Sequence, residues 1–401
     1  MEVKVEMNSL KQKINNLSSQ VDYLKGNDIY LFYRELNSAQ DVEMVEHGRK
    51  ILMFGSNSYL GLTNHPRVKA AAIKAIEKYG TGVSGSRLLN GNLDIHRELE
   101  ERLAVYLGKE DVAVFSTGFQ ANLGAIPPIM DRSGCLLMDK LSHASIIESA
   151  VLSHAKKLKF EHNNVQSLDR LLKNCPAESL KLVVTEGIFS MDGDISNLPD
   201  IVKTAENYNA MVMVDDAHAI GVLGKNGSGT SSHFGLTDRV HIITGTFSKS
   251  LAALGGFIAA DKDIINLIKH TSRALMFSAG LQPASVAAVM TALDIIEEEP
   301  ELIEKLWENT HYSIQQMKQM GFDIGNAETP IIPIYIRDDY KTYCIAKKLY
   351  DDGVFINPVV SPATSADSAL IRFSVMSSHT KAQIDFALSR IYENAKALQI
   401  I

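Results

Sequence analysis

The chain has 401 residues, room for about two domains and a sizeable core. Apolar residues at 45% and charged residues at 22% exclude a long disordered chain, a collagen-like fibre and a disulfide scaffold. With 40 basic and 47 acidic residues the formal charge is −7, and no Lys/Arg-rich block offers a local attraction to nucleic acid.

The first segment spaces apolar residues by alternating fours and threes, at Val3, Met7, Leu10, Ile14, Leu17, Val21 and Leu24, which predicts a helix with a heptad seam. A helix docked on its own body and an arm reaching across a dimer both satisfy that pattern; a membrane-surface helix ranks behind them, because lysines and glutamates mix on its polar face. The charged start at Met1–Glu6 lacks the apolar core of a secretion signal. Cys135, Cys175 and Cys344 are few, odd in number and far apart, which argues against a disulfide framework or structural zinc and makes a cytoplasmic setting the expectation.

From about Gly55 to Ala260, apolar runs alternate with helical patterns, the mark of βαβ units and a mostly parallel sheet. The expected strands are Val112–Phe115, Cys135–Met138, Leu182–Thr185, Ala210–Val214, His241–Thr244 and Gly256–Ala260. Ala274–Leu293 carries no charge, but Ser278, Gln282, Pro283, Ser285 and Thr291 interrupt it, so a buried loop and helix are expected rather than a membrane span. Beyond it come strand-like Pro330–Ile336, a helix near Thr342–Asp351, then Val354–Pro358, Leu370–Ser374 and a final helix. The organisation is therefore read as an N-terminal helical arm and lead-in over 1–60, a large domain over 61–295 and a smaller C-terminal α+β domain over 296–401.

Gly80–Gly85 matches GxGxxG, yet it follows a helical pattern at Ala70–Tyr79 instead of a strand, so a dinucleotide fold is rejected. Thr244–Gly256 places Lys249 among small and hydroxylic residues in a stretch that otherwise reads as buried, where desolvation would free its amine for Schiff-base chemistry. A snorkelling loop lysine satisfies that window equally well. Ala210–His218 ends an apolar strand in Asp215, Asp216 and His218; a helix cap, a metal ligand, or the carboxylate that keeps a pyridine nitrogen protonated could each stand there, and no metal-ligand spacing supports the second. Phe115–Asn122 runs from strand to helix, so its backbone N–H groups could hold a phosphate at the helix N-terminus, and Ser142–Ser145 offers His143, a flat imidazole that could stack on a ring or be a satisfied structural histidine.

Together these blocks, with Phe54–Leu62, Gly82–Arg87, Glu186–Gly193, Gly245–Ser250 and Ile371–Ser374, resemble the α-oxoamine synthase family of fold-type I pyridoxal phosphate (PLP) enzymes from about residue 28 to the C-terminus. The resemblance implies an α/β fold-type I transferase whose large domain binds PLP. It implies Lys249 as the Schiff-base lysine and acid/base, Asp215 opposite the pyridinium nitrogen, His143 over the ring, and His218 with Ser190 at the phenolic oxygen. Gly118, Phe119, Thr246 and Ser248 would hold the phosphate, with Ser278 from a second subunit, while Arg372 and Asn57 would face the substrate carboxylate. Met53–Leu62, Gly245–Ala252 and Asn357–Ala363 are most similar to the family's bacterial serine-using branch, which condenses L-serine with palmitoyl-CoA and so implies a homodimer with shared active sites in the cytoplasm or peripherally at the inner face of the cell membrane. The rival within the family is a synthase of the 2-amino-3-ketobutyrate CoA ligase or 8-amino-7-oxononanoate synthase type, using glycine or alanine. A non-catalytic subunit would lack the lysine, and an aminotransferase would need no acyl-CoA.

Overall fold

The computed structural model describes residues 8–401. Helix α1 (Asn8–Gly26) carries the heptad row, of which Val3 and Met7 lie outside the described residues. Leu10, Ile14 and Leu17 are exposed while Val21 and Leu24 are half-buried, so the chain covers only the C-terminal end of the row. A hairpin, β1 (Glu43–Glu46) and β2 (Arg49–Met53), then leads through α2 (Pro66–Tyr79) and α3 (Asp94–Leu107) to the main sheet.

That sheet is built from β3 (Asp111–Phe115), α4 (Gly118–Ile129), β4 (Cys135–Asp139), α5 (Ala144–Ser153), β5 (Lys156–Phe160), α6 (Val165–Lys173), β6 (Lys181–Glu186), α7 (Leu198–Glu206), β7 (Met211–Asp215), the short α8 (Thr230–His233), β8 (Ile242–Thr246) and β9 (Gly256–Ala260). Its seven strands lie in the order β3-β9-β8-β7-β6-β4-β5, with β9 alone antiparallel to its neighbours. Every other strand therefore ends at one edge of the sheet, where open α/β sheets collect their ligands.

Alternation along the strands explains why both faces are covered. Val112 and Val114 of β3, Cys135 and Leu137 of β4 and Val212 and Val214 of β7 point into one core, shared with α3, α7 and the later helices. Ala113, Phe115, Leu136, Met138 and Met213 point into the other, under α4 and α5. All the strands expected in this region are present, with ends that agree or differ by one or two residues. The sequence reading missed β5, whose Lys156, Lys157 and Lys159 hide the apolar period; lysines suit it because it is the edge strand.

The chain continues through α9 (Lys262–Thr271), α10 (Arg273–Met276), α11 (Pro283–Glu298) and α12 (Glu301–Gln319). Ala274–Leu293 thus becomes a short turn of helix, a loop and the buried α11, and no described helix is long and apolar enough to cross a membrane. The C-terminal part holds β10 (Ile331–Tyr335), α13 (Asp339–Asp351), β11 (Val354–Phe355), β12 (Asn357–Val359), β13 (Leu370–Ser374) and α14 (Lys381–Ala397). β10, β13 and β12 form an antiparallel sheet, whereas β11 runs parallel to β2 and ties the N-terminal hairpin to this part. A reciprocal cap fixes the start of α14: Gln383 N–H donates to Thr380 Oγ1 at 3.3 Å and Thr380 N–H to Gln383 Oε1 at 2.9 Å.

The Gly80–Gly85 segment follows α2 and opens no helix. It packs instead on the loop before α11, where Ser86 pairs with Ala279 and Gly280 N–H donates to the Gly85 carbonyl at 2.9 Å.

Candidate active site

The strand ends at this edge surround a cavity of about 260 Å³. Strand alternation decides which carboxyl faces it. Asp215, the last residue of β7, lines the cavity, while Asp216 is fully buried in the body and accepts the Thr230 N–H at 2.9 Å. Burial pushes the Asp216 carboxyl up to about 7. The chain then turns, and His218 returns to the cavity wall, where burial and the nearby Lys249 and Arg372 charges hold its imidazole well below the usual range and therefore neutral.

Asp215 is fixed from two sides. Its Oδ1 accepts the Ala217 N–H at 3.0 Å, and its Oδ2 accepts the Asn122 amide at 2.7 Å. Asn122, on α4, also donates to Ser145 Oγ at 2.9 Å, and Ser145 Oγ lies 2.8 Å from His143 Nδ1. One buried chain of hydrogen bonds thus sets Asp215 and the His143 imidazole in register, and the Thr244 hydroxyl closes it by donating to Asn122 Oδ1 at 2.9 Å. His143 caps the N-terminus of α5, so its backbone and ring are anchored separately. Burial lowers its imidazole pKa, the nearby Asp215 opposing and Lys249 assisting.

Lys249 lines the cavity from the loop after β8, and its amine has no hydrogen-bond or ion-pair partner among the described residues. Burial pushes it down to about 8, against the pull of Asp215 and Glu186. At the far end of the cavity α4 begins: Thr117 Oγ1 caps it by accepting the Gln120 N–H at 3.0 Å, and Gly118 and Phe119 form its first turn. A Cβ on Gly118 would stand 2.7 Å from the Thr246 side chain, so only glycine lets β8 come this close to the helix. The Thr246 and Ser248 hydroxyls, 2.9 Å apart, stand beside that turn.

Asn57, Ser190, Ser278 and Arg372 do not line this cavity. Arg372 on β13 is buried behind Tyr59: its guanidinium donates to the Ser190 carbonyl at 2.6 Å, to Ser374 Oγ at 2.9 Å and to the Tyr59 hydroxyl at 3.5 Å. Tyr59 in turn bonds His218 Nδ1 at 2.7 Å and donates to Asn57 Oδ1 at 3.4 Å. Ser278 accepts the Gln120 side-chain amide of its own chain at 3.2 Å. Tyr59, Asn122, Ser145 and Glu186 went unassigned in the sequence because their partners stand up to 159 residues away along the chain.

Comparison with known proteins places this geometry. Residues 49–391 match the aminotransferase class I and II family. The chain is 52% identical to the serine palmitoyltransferase of Sphingobacterium spiritivorum over 98% of both chains, and 40% identical to the 8-amino-7-oxononanoate synthase of Thermoanaerobacter pseudethanolicus over 96% of this chain and 98% of that one. A high-resolution structure of SPT with PLP internal aldimine superposes with a TM-score of 0.94 at 34% identity, covering 97% of this chain and 99% of the other. The chain belongs to the α-oxoamine synthases.

PLP, the cofactor of this family of fold-type I enzymes, meets the donor set it needs in the cavity. The half-buried, partner-free amine of Lys249 suits its aldehyde, the carboxyl of Asp215 its ring nitrogen, and the flat His143 ring its face. The N-terminus of α4 and the hydroxyls of Thr117, Thr246 and Ser248 suit its phosphate.

Proposed function

We infer that this α-oxoamine synthase carries out the serine palmitoyltransferase reaction, joining L-serine to palmitoyl-CoA with release of CoA and CO2 to give 3-oxosphinganine. The observation that carries the reading is the partnerless Lys249 amine facing Asp215 and His143, in a chain 52% identical to a serine palmitoyltransferase along nearly its whole length. Bound PLP supplies a sink for the electron pair left on the serine Cα. Lys249 takes the Cα proton and later returns one. Between those transfers the Cα–C bond to the acyl carbonyl forms, the C–S bond breaks with CoA leaving as the thiol, and the carboxylate departs as CO2. Arg372 and Asn57, tied together through Tyr59 just behind the cavity lining, are the groups assigned to the serine carboxylate, which they would reach by turning from those partners.

Since a guanidinium–carboxylate pair contributes about 3 kcal/mol, Arg372→Ala is expected to weaken L-serine binding roughly 100-fold. The affinity for PLP should change far less, and an unchanged serine titration would remove Arg372 from the substrate site. The 40% identity to an 8-amino-7-oxononanoate synthase favours a second reading in which alanine or glycine replaces serine. Titrating the PLP-loaded protein with L-serine, glycine and L-alanine separates the two: a saturable change in the visible band with serine supports the first, and a response confined to glycine or alanine the second.

We further infer a homodimer that shares its active sites. Leu88, Leu89 and Phe277 are exposed around the place where Ser86 pairs with Ala279, an apolar patch beside Ser278 that a second copy would cover. Phe277→Asp is expected to shift the protein to monomers in light scattering and to weaken PLP binding about tenfold; an active wild-type monomer would contradict the assembly. A cytoplasmic setting with peripheral contact at the inner face of the cell membrane belongs to the same reading, the contact supported by the exposed Leu10, Ile14 and Leu17 of α1.

A further inference from the structure

Glu186 is a buried carboxyl in the cavity wall to which neither the sequence nor the proposed reaction assigns a task. It is the last residue of β6 and stands directly beside Asp215 in the parallel register of β6 and β7. Its Oε1 accepts the backbone N–H of His143, while Oε2 has no hydrogen-bond partner among the described residues. Gly187 follows because a Cβ there would lie 2.0 Å from Asp216 Oδ1 and 2.1 Å from Thr230 Oγ1, so the chain passes that pair only as glycine.

The contact joins the end of β6 to the residue that opens α5. His143 is the residue just before α5, and its ring is held by Ser145 at Nδ1. With the backbone tied to β6 and the ring tied to α5, the height and tilt of the imidazole are both fixed. We propose that Glu186 is a positioning residue, whose carboxyl sets the His143 imidazole over the cofactor plane by holding the His143 backbone N–H to the end of β6. The proposal rests on the PLP reading of this cavity.

The surroundings say in which form the carboxyl acts. Burial, then the neighbouring Asp215 and more weakly Asp139, raise Glu186 well above the carboxylate range, against the His143 N–H and the Lys249 charge. The neutral acid is thus favoured over the carboxylate, and in either form Oε1 can accept the His143 N–H. Glutamine has the same shape and the same acceptor, so Glu186→Gln should retain the function, whereas Glu186→Ala should lose the tether.

The test uses purified full-length protein with PLP. Glu186→Ala is expected to lower kcat/KM about 10- to 100-fold and to change the visible circular dichroism of the bound cofactor, with Glu186→Gln restoring both to within about threefold. If the alanine variant is insoluble, Glu186→Asp, one methylene too short to reach the N–H, takes its place. In the His143→Ala background the same substitution should cost less than about twofold more, because the group it positions is gone. Equal losses in both backgrounds, or a glutamine variant as poor as the alanine one, would overturn the proposal. Failure of the PLP reading is distinguishable, since the wild-type protein would then give no cofactor band at all.

Discussion

Replacing Lys249 by alanine is expected to abolish turnover, by at least about 10⁴-fold, and with it every lysine-bound form of the cofactor. No other amine among the described residues lines the cavity, so no neighbour can take over its covalent link to the cofactor. The structure also fixes a pH dependence. Because burial lowers the amine to about 8, the nucleophilic free amine is the minority form below that value and the majority form above it. Attachment of PLP to the apo-protein should accelerate as pH rises through about 8 and level off beyond it, read as growth of the visible band. The alanine variant should bind PLP without that band and should leave nothing on residue 249 after borohydride reduction and peptide mass analysis. Normal turnover by the variant would remove Lys249 from the mechanism.

Asp215→Ala is the second large effect, roughly 10³-fold in kcat. The carboxyl is placed by Asn122 and by the Ala217 N–H, and it is what the cavity offers a ring nitrogen. Without it the ring nitrogen loses its ion-pair partner and the electron sink weakens. Asp215→Asn keeps the size but presents an amide to the nitrogen, and it should fall nearly as far. The substitution should also weaken PLP binding, whereas Asp216→Asn, one residue on, should act on folding alone, since Asp216 faces Thr230 and not the cavity. Equal kinetic losses at the two positions would contradict this division between neighbours.

The main-sheet strands other than β5 were legible because they carry apolar runs buried on both faces; β5 was not, because an edge strand can keep lysines on both sides, and neither were β1 and β2, which are charged and partly exposed. The residues around the cavity were legible in part. Lys249, Asp215, His143 and His218 stand out in sequence as chemistry-bearing groups near strand ends, and the structure gathers all four around one cavity. What holds them was not legible. Asn122 reaches Asp215 across 93 residues and Tyr59 reaches His218 across 159, and no local spacing encodes such contacts. Arg372 shows the opposite limit: its type suits a carboxylate, but its place behind Tyr59, with donors committed to Ser190 and Ser374, follows only from the packing of β13 on the site.

The most direct test of the account is a product analysis with the PLP-loaded protein, palmitoyl-CoA and L-serine labelled at the carboxyl carbon. The account predicts one CoA thiol and one labelled CO2 for each 3-oxosphinganine formed, with no thiol release when serine is omitted. Thiol release with glycine or alanine but not serine, or an acylated product that keeps the labelled carbon, would contradict it.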